Sequence, residues 1–161
     1  MGKGIRGAMV AAMAAASLLF STQSASAVAI SDNCDVMPCS FGDLHLYYNS
    51  IENDGYDSAR ASFYGNIPSY AGGQYGAIIY TYVFGKNSSG YTASGTGKGV
   101  KNAAASAQNC AQYDSYRVYY NSSYQGASQY FNETYGVYCA GGKQVNLNST
   151  LKNQNASQHF A

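Results

Sequence analysis

The sequence predicts an all-β protein in which two copies of one Greek-key unit of about four strands pack as a β-sandwich. Three observations lead there. Of 161 residues only 11% are charged, Pro occurs twice, and 17 Tyr and 18 Gly are spread along the chain. That balance suits short strands joined by tight turns and excludes coiled coils and charged disordered tails. Two segments recur in the same order: Leu44-His45-Leu46-Tyr47-Tyr48-Asn49-Ser50 returns as Tyr116-Arg117-Val118-Tyr119-Tyr120-Asn121-Ser122, and Val100-Lys101-Asn102-Ala103-Ala104-Ala105-Ser106 returns as Leu151-Lys152-Asn153-Gln154-Asn155-Ala156-Ser157. Within the first pair the apolar residues alternate with period two, which is the spacing of a strand with one buried and one wet face.

Residues 1–27 read as a signal peptide. Lys3 and Arg6 form a basic start, Ala8 to Phe20 is an apolar run shorter than the roughly 20 residues that span a bilayer, and Ala25-Ser26-Ala27 offers a small-residue cleavage site. Ala27-Val28-Ala29 offers a second cut after residue 29. Residues 28–161 then make a single domain, with a first unit over about 34–109 and a second over about 110–161. Without Lys3 and Arg6 the exported chain is close to neutral, so it carries no electrostatic footprint for nucleic acid or an anionic membrane.

Leu44, Leu46 and Tyr48 alternate with His45 and Tyr47, while Val118 and Tyr120 alternate with Arg117 and Tyr119, so His45 is expected on a wet face. Further strands are expected over Ala59 to Tyr64, Ala77 to Phe84, Gln129 to Phe131 and Tyr135 to Cys139. Breaks at Asp54-Gly55, Gly72-Gly73, Asn87 to Gly90, Gly95 to Gly99 and Gly141-Gly142 separate them with turn chemistry. Ala103 to Ala107 has helix propensity, but the run is too short to hold a helix alone. It and its counterpart after Lys152 therefore read as turns entering a final strand. The first copy is longer between its landmarks, and the extra length falls between about Tyr64 and Gly99.

All four cysteines lie in the exported part, where an even number reads as two disulfides. Three pairings are open in principle. Cys34 with Cys39 and Cys110 with Cys139 are favoured because each closes a loop inside one half of the chain. The chain-entropy model assigns roughly 2 kcal/mol to the short loop and about 3.5 kcal/mol to the longer one. A zinc site is not expected, since no Cys-x-x-Cys pair occurs and His45 and His159 are the only histidines.

The segment Tyr119-Tyr120-Asn121-Ser122-Ser123-Tyr124-Gln125-Gly126 resembles the folded-hairpin signature of βγ-crystallin Greek keys, in which an aromatic pair is followed by another aromatic, one spacer and Gly. The corresponding place in the first unit runs from Tyr47-Tyr48 to Asp54-Gly55-Tyr56, with Gly ahead of the aromatic. Together with the Lys-Asn-x-x-Ala-Ser element and the close pair Cys34 and Cys39, residues from about Cys34 to Phe160 resemble the Streptomyces metalloproteinase inhibitor family of secreted actinobacterial proteins, which are βγ-crystallin-like. The resemblance implies a secreted, extracellular, monomeric peptidase inhibitor whose partner is an extracellular protease, a metallopeptidase above all. No nucleic acid is expected as a partner, nor a membrane once the signal is cut.

βγ-Crystallins often hold calcium through an acidic or amide pair, two spacers, and Ser/Thr then Ser. The aligning positions are Asn102 and Ser106 in the first unit and Asn153 and Ser157 in the second. The second and last positions have become Ala103 and Ala107, or Gln154 and Gln158, and no carboxylate remains. Calcium takes six to eight oxygens, usually including carboxylates. The resemblance therefore implies degenerate calcium-type positions that are not functional, and no cofactor is expected.

Nothing in the sequence assembles a catalytic group. A nucleophile needs a base within reach, neither histidine sits in a nucleophile motif, and Gly95-Thr96-Gly97-Lys98-Gly99 lacks the spacing of a phosphate loop. Paired carboxylates among Asp43, Glu52, Asp54, Asp57, Asp114 and Glu133 would have to meet in space. The chain is read as a non-enzyme. An inhibitor needs instead an extended loop held so rigidly that binding costs little ordering entropy. The candidate loop is Cys139, Ala140, Gly141, Gly142, Lys143 and Gln144, running on to Val145, stiffened by its disulfide. A rival is the Gly/Ser-rich stretch from Phe84 to Gly99, whose composition is too floppy for the task. The alternatives are a secreted surface module binding cell wall or carbohydrate through tyrosine stacking, and a toxin-like antimicrobial protein.

Overall fold

The computed structural model describes residues 26–134, 139 and 143–161. The basic and apolar parts of the expected signal peptide, and the expected strand from Tyr135 up to Cys139, lie outside the described residues. In chain order the strands are β1 Val28–Ile30, β2 Leu44–Tyr47, β3 Arg60–Phe63, β4 Gly73–Tyr75, β5 Ile78–Tyr82, β6 Ser106–Asn109, β7 Tyr116–Asn121, β8 Gln125–Phe131, β9 Val145–Asn146 and β10 Ser157–Phe160. Among the described residues the only helical pieces are three single 3-10 turns. The protein is thus all-β, with three sheets ordered β3-β2-β6-β9, β10-β7-β8 and β1-β5-β4.

The segments that carry the repeated letters occupy corresponding places. β2 pairs antiparallel with β6 with Tyr47 opposite Ser106 and Leu44 opposite Asn109. β7 pairs antiparallel with β10 with Tyr119 opposite Ser157 and Tyr116 opposite Phe160. The backbone N–H of Ala105 donates to the Tyr47 carbonyl at 2.9 Å, and that of Ala156 to the Tyr119 carbonyl at 2.8 Å. The turns that enter β6 and β10 also meet: Asn102 N–H donates to the Asn155 carbonyl at 2.7 Å, and Asn153 N–H to the Ala104 carbonyl at 2.8 Å. This is a reciprocal exchange between equivalent positions.

Each half also pairs with the other. β9 completes the four-stranded sheet of the first half by pairing Val145 with Ala107. In return Ile67 exchanges two backbone hydrogen bonds with Gln158 of β10, at 2.9 and 3.0 Å. The buried cluster lies along these strands and contains Leu44, Leu46, Phe63, Ile67, Tyr70, Val100, Tyr116, Val118 and Leu151. Two buried amide and phenol groups are satisfied internally, since the Tyr70 hydroxyl donates to Gln158 Oε1 at 3.0 Å and Gln158 Nε2 donates to the Gly65 carbonyl at 3.0 Å. Burial without such partners would cost about 1–3 kcal/mol per group.

The structure corrects several expectations. All four residues of β2 are buried, His45 included at 4% exposed, so this strand has no wet face. β2 is flanked on both sides, by β3 and β6, and the Tyr47 ring on the face opposite Leu44 and Leu46 is itself covered by Tyr56, ring centroids 6.0 Å apart. In β7 the alternation holds through Tyr119 and then breaks at a register shift, leaving Tyr120 exposed. Gly73 belongs to a strand rather than to a break. Its neighbour Gly72, at φ 119°, makes the turn, where a Cβ would fall 2.1 Å from the Tyr80 carbonyl oxygen. β1, β4 and β9 are too short to show a period.

The extra length of the first copy forms β4 and β5, closed into a sheet by β1 running parallel to β5. The stretch from Phe84 to Gly99 is not loose despite its composition. Phe84 N–H donates to the Lys98 carbonyl and Gly97 N–H to the Phe84 carbonyl, at 2.8 and 2.7 Å. Ala59 N–H donates to the Ser94 carbonyl at 2.9 Å, and Tyr48 packs edge-on against Phe84.

Candidate functional site

The cysteines pair as Cys34 with Cys39 and Cys110 with Cys139. The first loop is fixed to β3 by its neighbours: Asp32 accepts from the N–H groups of Cys34 and Gly42, each at 2.9 Å, and the Asn33 amide spans both backbone groups of Tyr64 at 2.7 and 2.9 Å. The second disulfide starts the segment 139–145. Cys110 is fully buried at the end of β6, and Cys139, with φ 59°, is half-buried. Ala140, Gly141 and Gly142 lie outside the described residues. Lys143 is exposed, and the chain is caught again at Gln144, whose Nε2 donates to the buried Ser106 hydroxyl at 2.8 Å, before Val145 pairs with Ala107. Both ends of the segment are therefore held by β6 or its immediate continuation.

The four calcium-type positions take part in the same framework. Asn102 and Asn153 both adopt the left-handed conformation, φ 61° and 58°, which asparagine tolerates better than most residues. Ser106 Oγ donates to the Asn49 carbonyl at 2.7 Å, and Ser157 Oγ donates to the Asn121 carbonyl at 2.6 Å. Each hydroxyl thus ties the last strand of its unit to the turn after the first. A shallow cleft of about 300 Å³ lies beside the first of these turns, lined by Asn49, Ser50, Asn53, Asn102, Lys152 and Asn153 among others. Its described lining offers amide and hydroxyl oxygens, no carboxylate, and one ammonium. That set suits water or a neutral polar group better than a hard divalent cation.

A second surface was not foreseen as a unit. Phe41, Asp43, Gln112, Tyr113 and Asp114 line a cleft of about 230 Å³, and a neighbouring one of about 300 Å³ shares Phe41 and Asp43 and is walled by Pro38, Ser40 and Tyr64. Phe41 is 50% exposed and Tyr113 80% exposed. Burial pushes the Asp43 carboxyl up to about 6, helped by the negative charges of Asp114 and Asp32. Asp43 immediately precedes β2 and Asp114 lies two residues before β7; the two do not align in the repeat, so no sequence signal brought these aromatic and acidic residues together.

The remaining candidates disperse. Glu52 accepts from Asn146 Nδ2 at 2.6 Å on the surface, and Glu133 accepts from the Ser115 hydroxyl. His159 Nε2 and the Tyr119 hydroxyl are 2.6 Å apart. At the corresponding place in the first half, the Tyr47 hydroxyl donates to Gln108 Oε1 at 2.9 Å. His45 is buried against Cys110, and burial pushes it down to about 4. Compared with family models, curated proteins and solved structures, the chain finds no match in any of the three.

Proposed function

We propose that the protein is an exported peptidase inhibitor of βγ-crystallin-like architecture, which presents the segment 139–145 to the cleft of an extracellular protease, a metallopeptidase first. One observation carries this reading: the segment is anchored at both ends to β6 and the residue that follows it, by Cys139 through the disulfide to Cys110 and by Gln144 and Val145 through hydrogen bonds to β6, with Lys143 exposed between. A loop so held loses little conformational entropy on binding, and its two sides stay together if one bond is cut. The strand order β3-β2-β6-β9, with β9 lent by the other half, is what two Greek keys exchanging a strand would give, and it supports the crystallin-like reading. Export fits the disulfides, which persist in oxidising compartments, and no described helix is long and apolar enough to cross a membrane.

The test is titration of a thermolysin-like and a subtilisin-like protease with the chain from Val28 onward. The reading expects residual activity of the metallopeptidase to reach its floor near one equivalent. Replacing the stretch 140–143 by a Gly/Ser linker should abolish inhibition while leaving the strand signal in circular dichroism. Undiminished protease activity at tenfold excess would overturn it.

The cleft at Asp43 favours a second reading, a module that binds cell-wall saccharide without inhibiting a protease. Exposed aromatic faces beside carboxylates are a common means of holding a sugar ring and its hydroxyls. Retention on cell-wall polysaccharide that Tyr113→Ala weakens several-fold, with no protease inhibited, would select it.

A further inference from the structure

β2 delivers His45 into the interior beside the second disulfide. Its Nε2 lies 3.2 Å from the Gly42 carbonyl oxygen. A carbonyl only accepts, so Nε2 carries the proton and Nδ1 keeps its lone pair. Nδ1 faces Cys110 Sγ at 3.6 Å, and Nδ1 with the sulfurs of Cys110 and Cys139 all lie within 4.8 Å of one another. While the sulfurs are bonded to each other, neither is a thiolate, and the group offers a metal only one nitrogen.

Reduction changes the donor set. Two equivalents of a thiol convert the disulfide into two cysteine thiols and leave as their own disulfide, so the electrons balance. Loss of the two thiol protons then leaves an imidazole nitrogen and two thiolates, the ligand types of tetrahedral zinc-class sites. With metal bonds of about 2.3 Å to sulfur and about 2.0 Å to nitrogen, tetrahedral ligand atoms stand roughly 3.5 Å apart for sulfur and nitrogen. Cys110 and His45 already stand at that separation. Only Cys139 has to swing away, and it is half-buried where Cys110 is fully enclosed. The Gly42 carbonyl supplies the outer hydrogen bond that orients a metal-bound histidine.

We propose that the reduced chain holds one zinc-class divalent cation through His45 Nδ1, Cys110 Sγ and Cys139 Sγ, with water in the fourth position, so that disulfide and metal are alternative clasps on the same three residues. Either clasp fixes Cys139 to the end of β6.

The experiment uses the chain from Val28 with Cys34→Ser and Cys39→Ser, so that Cys110 and Cys139 carry the only sulfurs able to pair. After reduction with a phosphine, cobalt(II) is titrated and then displaced by zinc. The expected result is thiolate-to-cobalt charge-transfer absorption and tetrahedral d–d bands that saturate at one equivalent, and neither in the oxidised protein. His45→Gln should weaken cobalt binding at least tenfold. In the unsubstituted His45 protein, zinc should shift the His45 ring resonances and leave those of His159 in place, a readout that does not depend on the variant folding. Absence of binding at one equivalent, equal affinity in His45→Gln, unmoved His45 resonances, or loss of strand structure on reduction would each overturn the proposal.

Discussion

Two serines, Ser106 and Ser157, do the same work in the two halves. Each is buried and each donates its hydroxyl proton to a carbonyl across the unit, Asn49 in one case and Asn121 in the other. Ser106→Ala and Ser157→Ala leave those carbonyls short of a partner, so each should lower stability by about 1–2 kcal/mol. Urea denaturation followed by circular dichroism checks this, and an effect confined to one serine would show that the halves are not equivalent. A second residue-scale prediction concerns pH. Asp43 is raised from 3.8 to about 6, so the folded chain keeps a proton that the unfolded chain has lost, and the stability from this group falls as pH rises from 3.8 towards 6. His45 is lowered from 6.5 to about 4, so the unfolded chain takes up a proton that the folded one refuses, and stability falls as pH drops through that window. The two trends oppose each other. Asp43→Asn should therefore make the denaturation midpoint fall more steeply between pH 6.5 and 4 than in the unsubstituted protein, and parallel curves would contradict the assignment.

Among the elements, the Cys110–Cys139 staple joins the end of β6 to the start of the segment 139–145, across a sequence separation of 29. Replacing both cysteines by serine should cost roughly 3.5 kcal/mol, against a smaller loss for the Cys34–Cys39 pair, whose separation is 5. Thermal denaturation of the two double variants makes the comparison. Legibility at this scale followed the length of each element. β2 and β7 were readable from the alternation of apolar residues, and β3 and β5 from aromatic and aliphatic residues set between turn signals. β6 and β10 were readable only as strands entered through repeated turns, since Ser106-Ala107-Gln108-Asn109 has no strand propensity of its own and is held by β2 and β9. The three-residue β1 and β4 and the two-residue β9 exist through their partners, a non-local effect that a local window does not register.

The whole molecule is interlocked rather than merely duplicated. β9 completes the sheet of the first half and Ile67 bonds to the last strand of the second, so neither half closes its hydrophobic face alone. Denaturation should be a single transition by fluorescence and circular dichroism alike, and a peptide of residues 110–161 should lack strand structure by itself. The repeat was visible as letters, whereas the exchange was not, because pairing between distant segments leaves no trace in either one. The candidate site was legible in the same uneven way. Cysteine spacing pointed to the stapled segment, but Gln144 reaching Ser106 and His45 turning inward depend on tertiary packing. The central claim is that the segment 139–145 meets the protease and stays clamped on both sides. Mass spectrometry of the protein after incubation with a metallopeptidase it inhibits tests this most directly. The account predicts an intact chain or a single cut within 139–145, with the two fragments held together and the protease still inhibited; rapid cleavage elsewhere, or fragments that part and release an active protease, would contradict it.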